Sequence, residues 1–322
     1  MPLTFEYNNA HKKIIMDEAG IEYTVGNLIF AISDGPKIYT IEGQKDIVYV
    51  EAADIEKNKL VIRRMSDVMS EKSQVFTKSI NNRLLWPDKL VKEKKDNENV
   101  KDNGFKGFIS RNPQIQGDLT TLAEVIEERK AKTVLTQEER QYYLNLGIQL
   151  AEILETIHEC GYVVGVLTPD KLWLSQDGTL ISCITYRFSF QKNDVFDNPY
   201  YVAPEWFSYI DKDNILYEPK SDSFLYAIIL FQLLTGKYPF LTERNISEVK
   251  KEELWEQMVD GKSLYFWEDE RTISEIKKEL ETAPKGIDDL FESTFDYCGY
   301  GAYDEPRASV SDWLLALKGN ND

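Results

Sequence analysis

The sequence predicts an α+β protein in two parts, rich in strands over residues 1–111 and helical over residues 112–322. Residues 20–29, 36–41 and 46–52 alternate apolar and polar side chains, the pattern of half-buried strands. Residues 138–160 place apolar side chains at helical spacing and stop at Gly161, a usual helix terminator. A chain of 322 residues has room for one large domain or two ordinary ones.

In chain order, the first two strands flank a turn at Ser33-Asp34-Gly35, and the third runs from Asp46 to Ala52. The run from Lys92 to Gly104 is highly charged and reads as a solvated loop between strands. The helix over 138–160 follows, and Asp177-Gly178 marks a hairpin turn. Among the segments that remain, residues 161–174 carry the most information: Gly-Tyr-Val-Val-Gly-Val-Leu-Thr-Pro-Asp-Lys-Leu-Trp-Leu.

That segment resembles the catalytic loop of a protein kinase, in which His-Arg-Asp precedes Leu-x-Pro-x-Asn. Leu167, Pro169 and Leu172 keep the frame, while Val164, Gly165 and Val166 fill the first triplet and Lys171 replaces the metal-binding Asn. Other motifs follow in kinase order. Tyr201-Val202-Ala203-Pro204-Glu205 resembles the close of the activation segment, and residues 220–240, opening near Asp222, resemble the central buried helix. Asp304-Glu305-Pro306-Arg307 then resembles the terminal arginine segment. The resemblance implies a bilobal kinase-like fold with a small lobe over 1–111 and a large lobe over 112–322. Leu84-Leu85-Trp86-Pro87, Gly104-Phe105-Lys106-Gly107-Phe108 and Ser189-Phe190-Gln191 are similar to a bacterial branch of such proteins.

The chemistry expected of a kinase is missing from the matching positions. Phosphoryl transfer needs a carboxylate to orient the acceptor, metal ions on the phosphates and a cation beside them. Val166 cannot accept a proton, and Lys171 offers no oxygen to a hard cation. The metal-binding Asp-Phe-Gly triplet falls at Ile184-Thr185-Tyr186 or at Tyr186-Arg187-Phe188, and neither register supplies an Asp. The strand that should bring a phosphate-pairing lysine near Val50 or Glu51 brings none. At the phosphate cover, Ser33, Asp34 and Gly35 retain a single glycine.

Composition limits the partners. Thirty-eight basic and 55 acidic residues give a net charge of −17, which disfavours nucleic acids and anionic membranes. Cys160, Cys183 and Cys298 have no metal or redox spacing and read as reduced and buried. No signal peptide is evident, and the most apolar run, around 224–234, is too short to span a bilayer, so the expectation is a cytoplasmic protein.

Several conspicuous residues also have structural readings. Asp222 reads as a helix cap, or through the resemblance as the anchor of the catalytic loop. Glu205 and Arg307 are expected to form a buried scaffold ion pair, and His158, at a helix end, a packing contact. Asp170 and Asp177 read as turn residues. Trp255, Tyr265, Phe266 and Trp267 interrupt charged runs and suit either core packing or an interface. The resulting expectation is a catalytically inactive pseudokinase, with no cofactor or metal, acting as scaffold or allosteric regulator of a protein partner. An atypical phosphotransferase or nucleotidyl-transferase using displaced carboxylates, and a nucleotide sensor without turnover, stay open beside it. The partner's identity and the oligomeric state stay open as well.

Overall fold

The computed structural model describes residues 13–31, 36–51, 62–68, 71–72, 74–75, 80, 83–94, 104–113, 119–182, 198, 200–209, 218–240, 250–260, 262–263, 270–296 and 307–319. Within it the chain forms two compact units, Met1–Gln114 and Ile115–Asp322. The Ser33-Asp34-Gly35 turn, Cys183, Tyr186 with the rest of the degenerate metal-binding segment, residues 265–267 and Cys298 lie outside the described residues.

In the first unit the described strands are β1 (Ile14–Asp17), β2 (Glu22–Ala31), β3 (Lys37–Ile41), β4 (Gln44–Glu51), β5 (Lys89–Glu93) and β6 (Phe105–Arg111). They close into an antiparallel barrel in the order β1-β2-β3-β4-β6-β5. Closure depends on β1, a four-residue strand absent from the sequence reading. It pairs Ile15 with Tyr23 of β2 on one side and with Glu93 of β5 on the other. Alternate residues point inward, and Ile15, Tyr23, Val25, Ile41, Tyr49, Val91 and Ile109 fill the barrel. The charged run expected to loop from Lys92 begins later, because Lys92 and Glu93 belong to β5 and pair with Met16 and Ile15. Their polar side chains hid a strand that pairs with β1 on one side and with β6 on the other.

Val48, Tyr49 and Val50 are all buried, so β4 is covered on its outer face as well as its inner one. A short helix, α1 (residues 62–68), buries Ile62 and Met65. The Trp86 indole donates to the Met65 carbonyl at 2.7 Å, and the Ser66 hydroxyl donates to the Asp88 carbonyl. The Trp-Pro element read from the sequence therefore fastens the end of α1.

The second unit contains β7 (Thr120–Thr121), α2 (Leu122–Lys130), α3 (Gln137–Glu159), β8 (Leu172–Leu174), β9 (Leu180–Ser182) and α4 (Pro219–Thr235). After them come α5 (Lys251–Val259), α6 (Glu270–Leu280), α7 (Ile287–Asp296) and α8 (Val310–Lys318). Capping boxes start α2, α3 and α8, at Thr121/Glu124, Thr136/Glu139 and Ser309/Asp312. Helix α4 is buried almost all round, as a helix apolar on every face must be. The Tyr226 hydroxyl donates to the Gly147 carbonyl of α3 at 3.1 Å. Tyr226 meets Trp313 of α8, and Phe231 meets Phe291 and Phe295 of α7, in edge-on aromatic contacts.

Candidate functional site

The loop after α3 is held from below by one carboxylate. Asp222 is fully buried and accepts backbone hydrogen bonds from Val164 N–H on Oδ2 and Gly165 N–H on Oδ1, both at 2.7 Å. His158 Nε2 sits 2.9 Å from the same Oδ2. Burying a carboxylate is costly unless donors surround it, and this one has a donor on each oxygen. The cap of α4 is Glu218, so the helix-cap reading of Asp222 is corrected. Asp222 lies a turn inside the helix, where its side chain reaches the loop backbone.

The loop's shape follows from that anchor. Gly165 has φ +78°, and the Val166 N–H donates to the Val164 carbonyl at 3.1 Å, closing a three-residue turn. A side chain at 165 would be strained in that left-handed conformation. Val164, Val166 and Leu167 are buried, so the loop turns apolar groups into the core at the positions of interest. Thr168 begins a 3-10 turn over Pro169–Lys171, and the Lys171 N–H donates to the Thr168 carbonyl.

The two displaced carboxylates lie on separate turns. Asp170 is exposed on the 3-10 turn, while Asp177 lies in the β8–β9 hairpin. Asp177 accepts from the Ser175 hydroxyl and from the Thr179 N–H at 3.0 Å. The Ser175 hydroxyl, aided by Thr179, holds the Asp177 carboxyl below the usual range. That direction suits a turn-stabilising anion better than a proton donor near neutrality.

Glu205, on the 3-10 turn Pro204–Tyr209, meets Arg307 in a forked pair with N···O distances of 3.2 and 3.3 Å. Ser221 donates to Glu205 at 2.7 Å, Arg307 donates to the Lys220 carbonyl at 2.9 Å, and its guanidinium lies over the Phe224 ring. Burial pushes the Glu205 carboxyl up, but the Arg307 charge and the Ser221 hydroxyl outweigh it and hold the carboxyl below its ordinary value. Nearby, the buried Tyr201 hydroxyl donates to Gln232 at 2.7 Å.

One supporting residue has no sequence signal of its own. Arg129, at the end of α2, is 2% exposed and donates to the carbonyls of Leu233, Leu234 and Lys132. It thereby satisfies carbonyls in the last turn of α4 that lack helical partners. In sequence it sits in the charged run Glu-Glu-Arg-Lys and looks like solvated surface.

In the first unit, Glu51 ends β4 where a lysine was sought. Its carboxylate is taken up by Lys13 at 2.5 Å and by the Tyr39 hydroxyl at 3.1 Å. Two residues back on the same face, Tyr49 is fully buried in the barrel, stacked on Tyr39 at 5.8 Å. Burial pushes the Tyr49 phenol far above its ordinary value. The adjoining strand comes very close, since a Cβ on Gly107 would stand 2.1 Å from the Val50 carbonyl oxygen. That contact explains the glycine of the Phe-x-Gly-Phe element.

No family profile matches the sequence. Over 138 residues, 39% of the chain, it is 27% identical to mouse serine/threonine-protein kinase MRCK gamma. Over 136 residues it is 24% identical to MRCK alpha of mouse and of rat. These matches span 8% and 7% of the respective kinases. Among solved structures, the kinase domain of a Toxoplasma gondii rhoptry antigen superimposes with a TM-score of 0.53 at 14% identity. That alignment covers 94% of this chain and 83% of the other. The chain has a protein-kinase-like fold.

The segment anchored by Asp222 is the one whose sequence resembles a catalytic loop, with Val166 and Lys171 at the positions where that resemblance calls for Asp and Asn. Among the described residues, no group of three or more His, Cys, Asp or Glu is placed to hold a metal. No helix among them is long and apolar enough to cross a membrane.

Proposed function

We propose that this protein is a pseudokinase that has exchanged phosphoryl transfer for service as a cytoplasmic scaffold or allosteric regulator of a protein partner. Its two units correspond, on this reading, to the small and large lobes of a kinase of the bacterial branch. One observation carries the proposal: Asp222 still grips the loop backbone at Val164 and Gly165, while the loop presents buried valines. The fold's support has been kept and the reacting group has not. Glu51 adds to this, because a carboxylate neutralised by Lys13 cannot steady a nucleotide's phosphates. Tyr49, packed inside the barrel, gives that face to the protein's own core.

The test is a thermal-shift titration with ATP, with and without Mg²⁺. A ligand at 100 times its Kd stabilises the native state by about 2.7 kcal/mol. On the pseudokinase reading millimolar Mg-ATP leaves the melting temperature unchanged and no radiolabel passes from ATP to any acceptor. A rise of several degrees moves the assignment to a nucleotide sensor. Label transfer that disappears in Asp170→Ala or Asp177→Ala moves it to an enzyme.

A further inference from the structure

The strand that closes the first unit's barrel is also its lightest attachment. β1 has four residues, and only Ile15 and Asp17 bury their side chains. Against β5 it registers three pairs, Ile15 on Glu93, Met16 on Lys92 and Asp17 on Val91, where β4 and β6 register five. The Lys94 N–H adds one bond to the Ile14 carbonyl at 2.8 Å. On its other side β1 is backed by a tight turn into β2. There the Asp17 N–H donates to the Ile21 carbonyl at 3.0 Å and the Gly20 N–H to the Asp17 carbonyl at 3.1 Å. Local opening follows the line of fewest buried apolar contacts and backbone bonds, and that line runs between β1 and β5.

One carboxylate spans this join. Asp17 is 3% exposed, and its Oδ1 accepts from the Ala19 N–H at 3.0 Å and the Ile21 N–H at 2.8 Å. Its Oδ2 accepts from the Tyr23 hydroxyl of β2 at 3.0 Å and from Lys89 Nζ of β5 at 3.4 Å. Burial pushes the Asp17 carboxyl up, but the Ile21 N–H, the Tyr23 hydroxyl and the Lys89 charge outweigh it and hold it below its ordinary value. Burial raises the Tyr23 phenol, and the Tyr23 hydrogen bond raises the Lys89 ammonium, so both keep their protons from neutral to acid pH. The other acids around β1 are Glu18 with Arg63 of α1, Glu22 with Lys94, Glu51 with Lys13, and Glu93 opposite Ile15. Glu18 and Glu22 are close to half exposed, where ion pairs contribute little.

We propose that the barrel opens locally at the β1–β5 seam and that the Asp17 carboxylate is its acid-released latch. Opening returns Asp17 to water and to its ordinary affinity for protons, so protonation favours the open state. The latch is in full force above pH 3.8 and is lost as the pH falls through the lower value of the closed seam. What opens is a segment of one strand, while the rest of the barrel keeps its pairing. None of this depends on whether the protein transfers phosphate.

Amide hydrogen exchange on the full chain, resolved by residue and expressed as protection factors from about pH 7 to about pH 3, tests the proposal. The Lys94 amide exchanges severalfold faster than those of residues 47–50 at neutral pH, and the gap widens severalfold below pH 3.8. Asp17→Asn, which cannot ionise, speeds exchange at Lys94 at neutral pH and removes the acid response. Lys89→Gln loosens the latch from the β5 side with the buried carboxylate in place, and serves where Asp17→Asn does not fold. It too speeds exchange at Lys94 and leaves residues 47–50 unchanged. Equal protection of Lys94 and residues 47–50 at every pH overturns the proposal, because the barrel then opens only as a whole. An acid response in Asp17→Asn as large as in wild type hands the latch to the glutamates and overturns it as well. So does a Lys89→Gln variant whose Lys94 amide exchanges at the wild-type rate.

Discussion

Asp222→Asn changes one buried carboxylate into an amide of the same shape. Both carboxylate oxygens now accept backbone N–H groups at 2.7 Å, from Val164 and Gly165. An asparagine offers one oxygen and sets its NH₂ against the other N–H, placing donor against donor. One charge-assisted hydrogen bond, worth about 1.5–3 kcal/mol, is lost, and a buried N–H is orphaned at about 1–3 kcal/mol. The expected loss is about 3–5 kcal/mol, a large share of a typical stability of about 5–15 kcal/mol. For a domain of roughly 150–250 residues it lowers the melting temperature by about 6–20 °C. Urea titration followed by tryptophan fluorescence measures it, with His158→Gln as a control that leaves both backbone bonds in place. A loss below about 1 kcal/mol, the worth of one neutral hydrogen bond, would refute the view that this carboxylate holds the loop.

Arg307→Ala leaves Glu205 nearly buried and unpaired, for an expected loss of about 3 kcal/mol by urea titration; a variant that unfolds at the wild-type midpoint shows that the pair contributes nothing. Glu205 has a folded-state pKa below its ordinary value of 4.5, so its stabilisation is present above that pH and is lost as the pH falls through the lower folded value. Glu205→Gln therefore flattens the acid limb of the stability curve, and an unchanged limb would assign acid unfolding to other groups. Gly107→Ala forces a Cβ against the Val50 carbonyl and destabilises the first unit by about 1–3 kcal/mol or more, seen as faster amide exchange at residues 47–51. Arg129→Met strands the Leu233 and Leu234 carbonyls in the interior and costs about 2–4 kcal/mol, read from the denaturation midpoint of the second unit.

Helix α3 was legible because its apolar period runs over many turns and stops at Gly161, whereas its capping box at Thr136 and Glu139 was not read from the sequence. The loop frame and the Glu205–Arg307 pair were legible through motif order, and the pair is joined in space across 102 residues of chain. Strand β1 was not. Four residues are too few to show a period, and its partner β5 is disguised by Lys92 and Glu93. Arg129 was missed because nothing in a charged run tells a clamped arginine from a solvated one. The role of Asp222 was half legible: its place near a helix start suggested a cap, which Glu218 is instead, while the resemblance implied a hold on the loop backbone, and Val164 and Gly165 N–H do donate to it. The charge exchange at Glu51 was visible as a missing lysine, but its neutralisation by Lys13 depends on the entry to β1, far away in sequence.

The closed barrel bears on how the first unit can meet other proteins. An open sheet ends in strands with unpaired N–H and C=O groups, and an extended peptide can dock there by continuing the sheet. With β1 seated between β2 and β5, the six described strands close on themselves along a seam formed by residues 14–17. While β1 stays in place it occupies residues 22–24 of β2 and 91–93 of β5, so a foreign strand cannot pair with the main chain at that seam. The seam is also a late event in folding. β1 waits for β5, whose residues lie more than seventy positions downstream, with Asp17 registered on Val91. Contacts so distant in sequence are slow to form because the intervening chain must first be gathered. Until then β2 and β5 expose bare edges, so the interval before β1 docks is when a nascent chain is most open to capture by a chaperone or by another copy of itself.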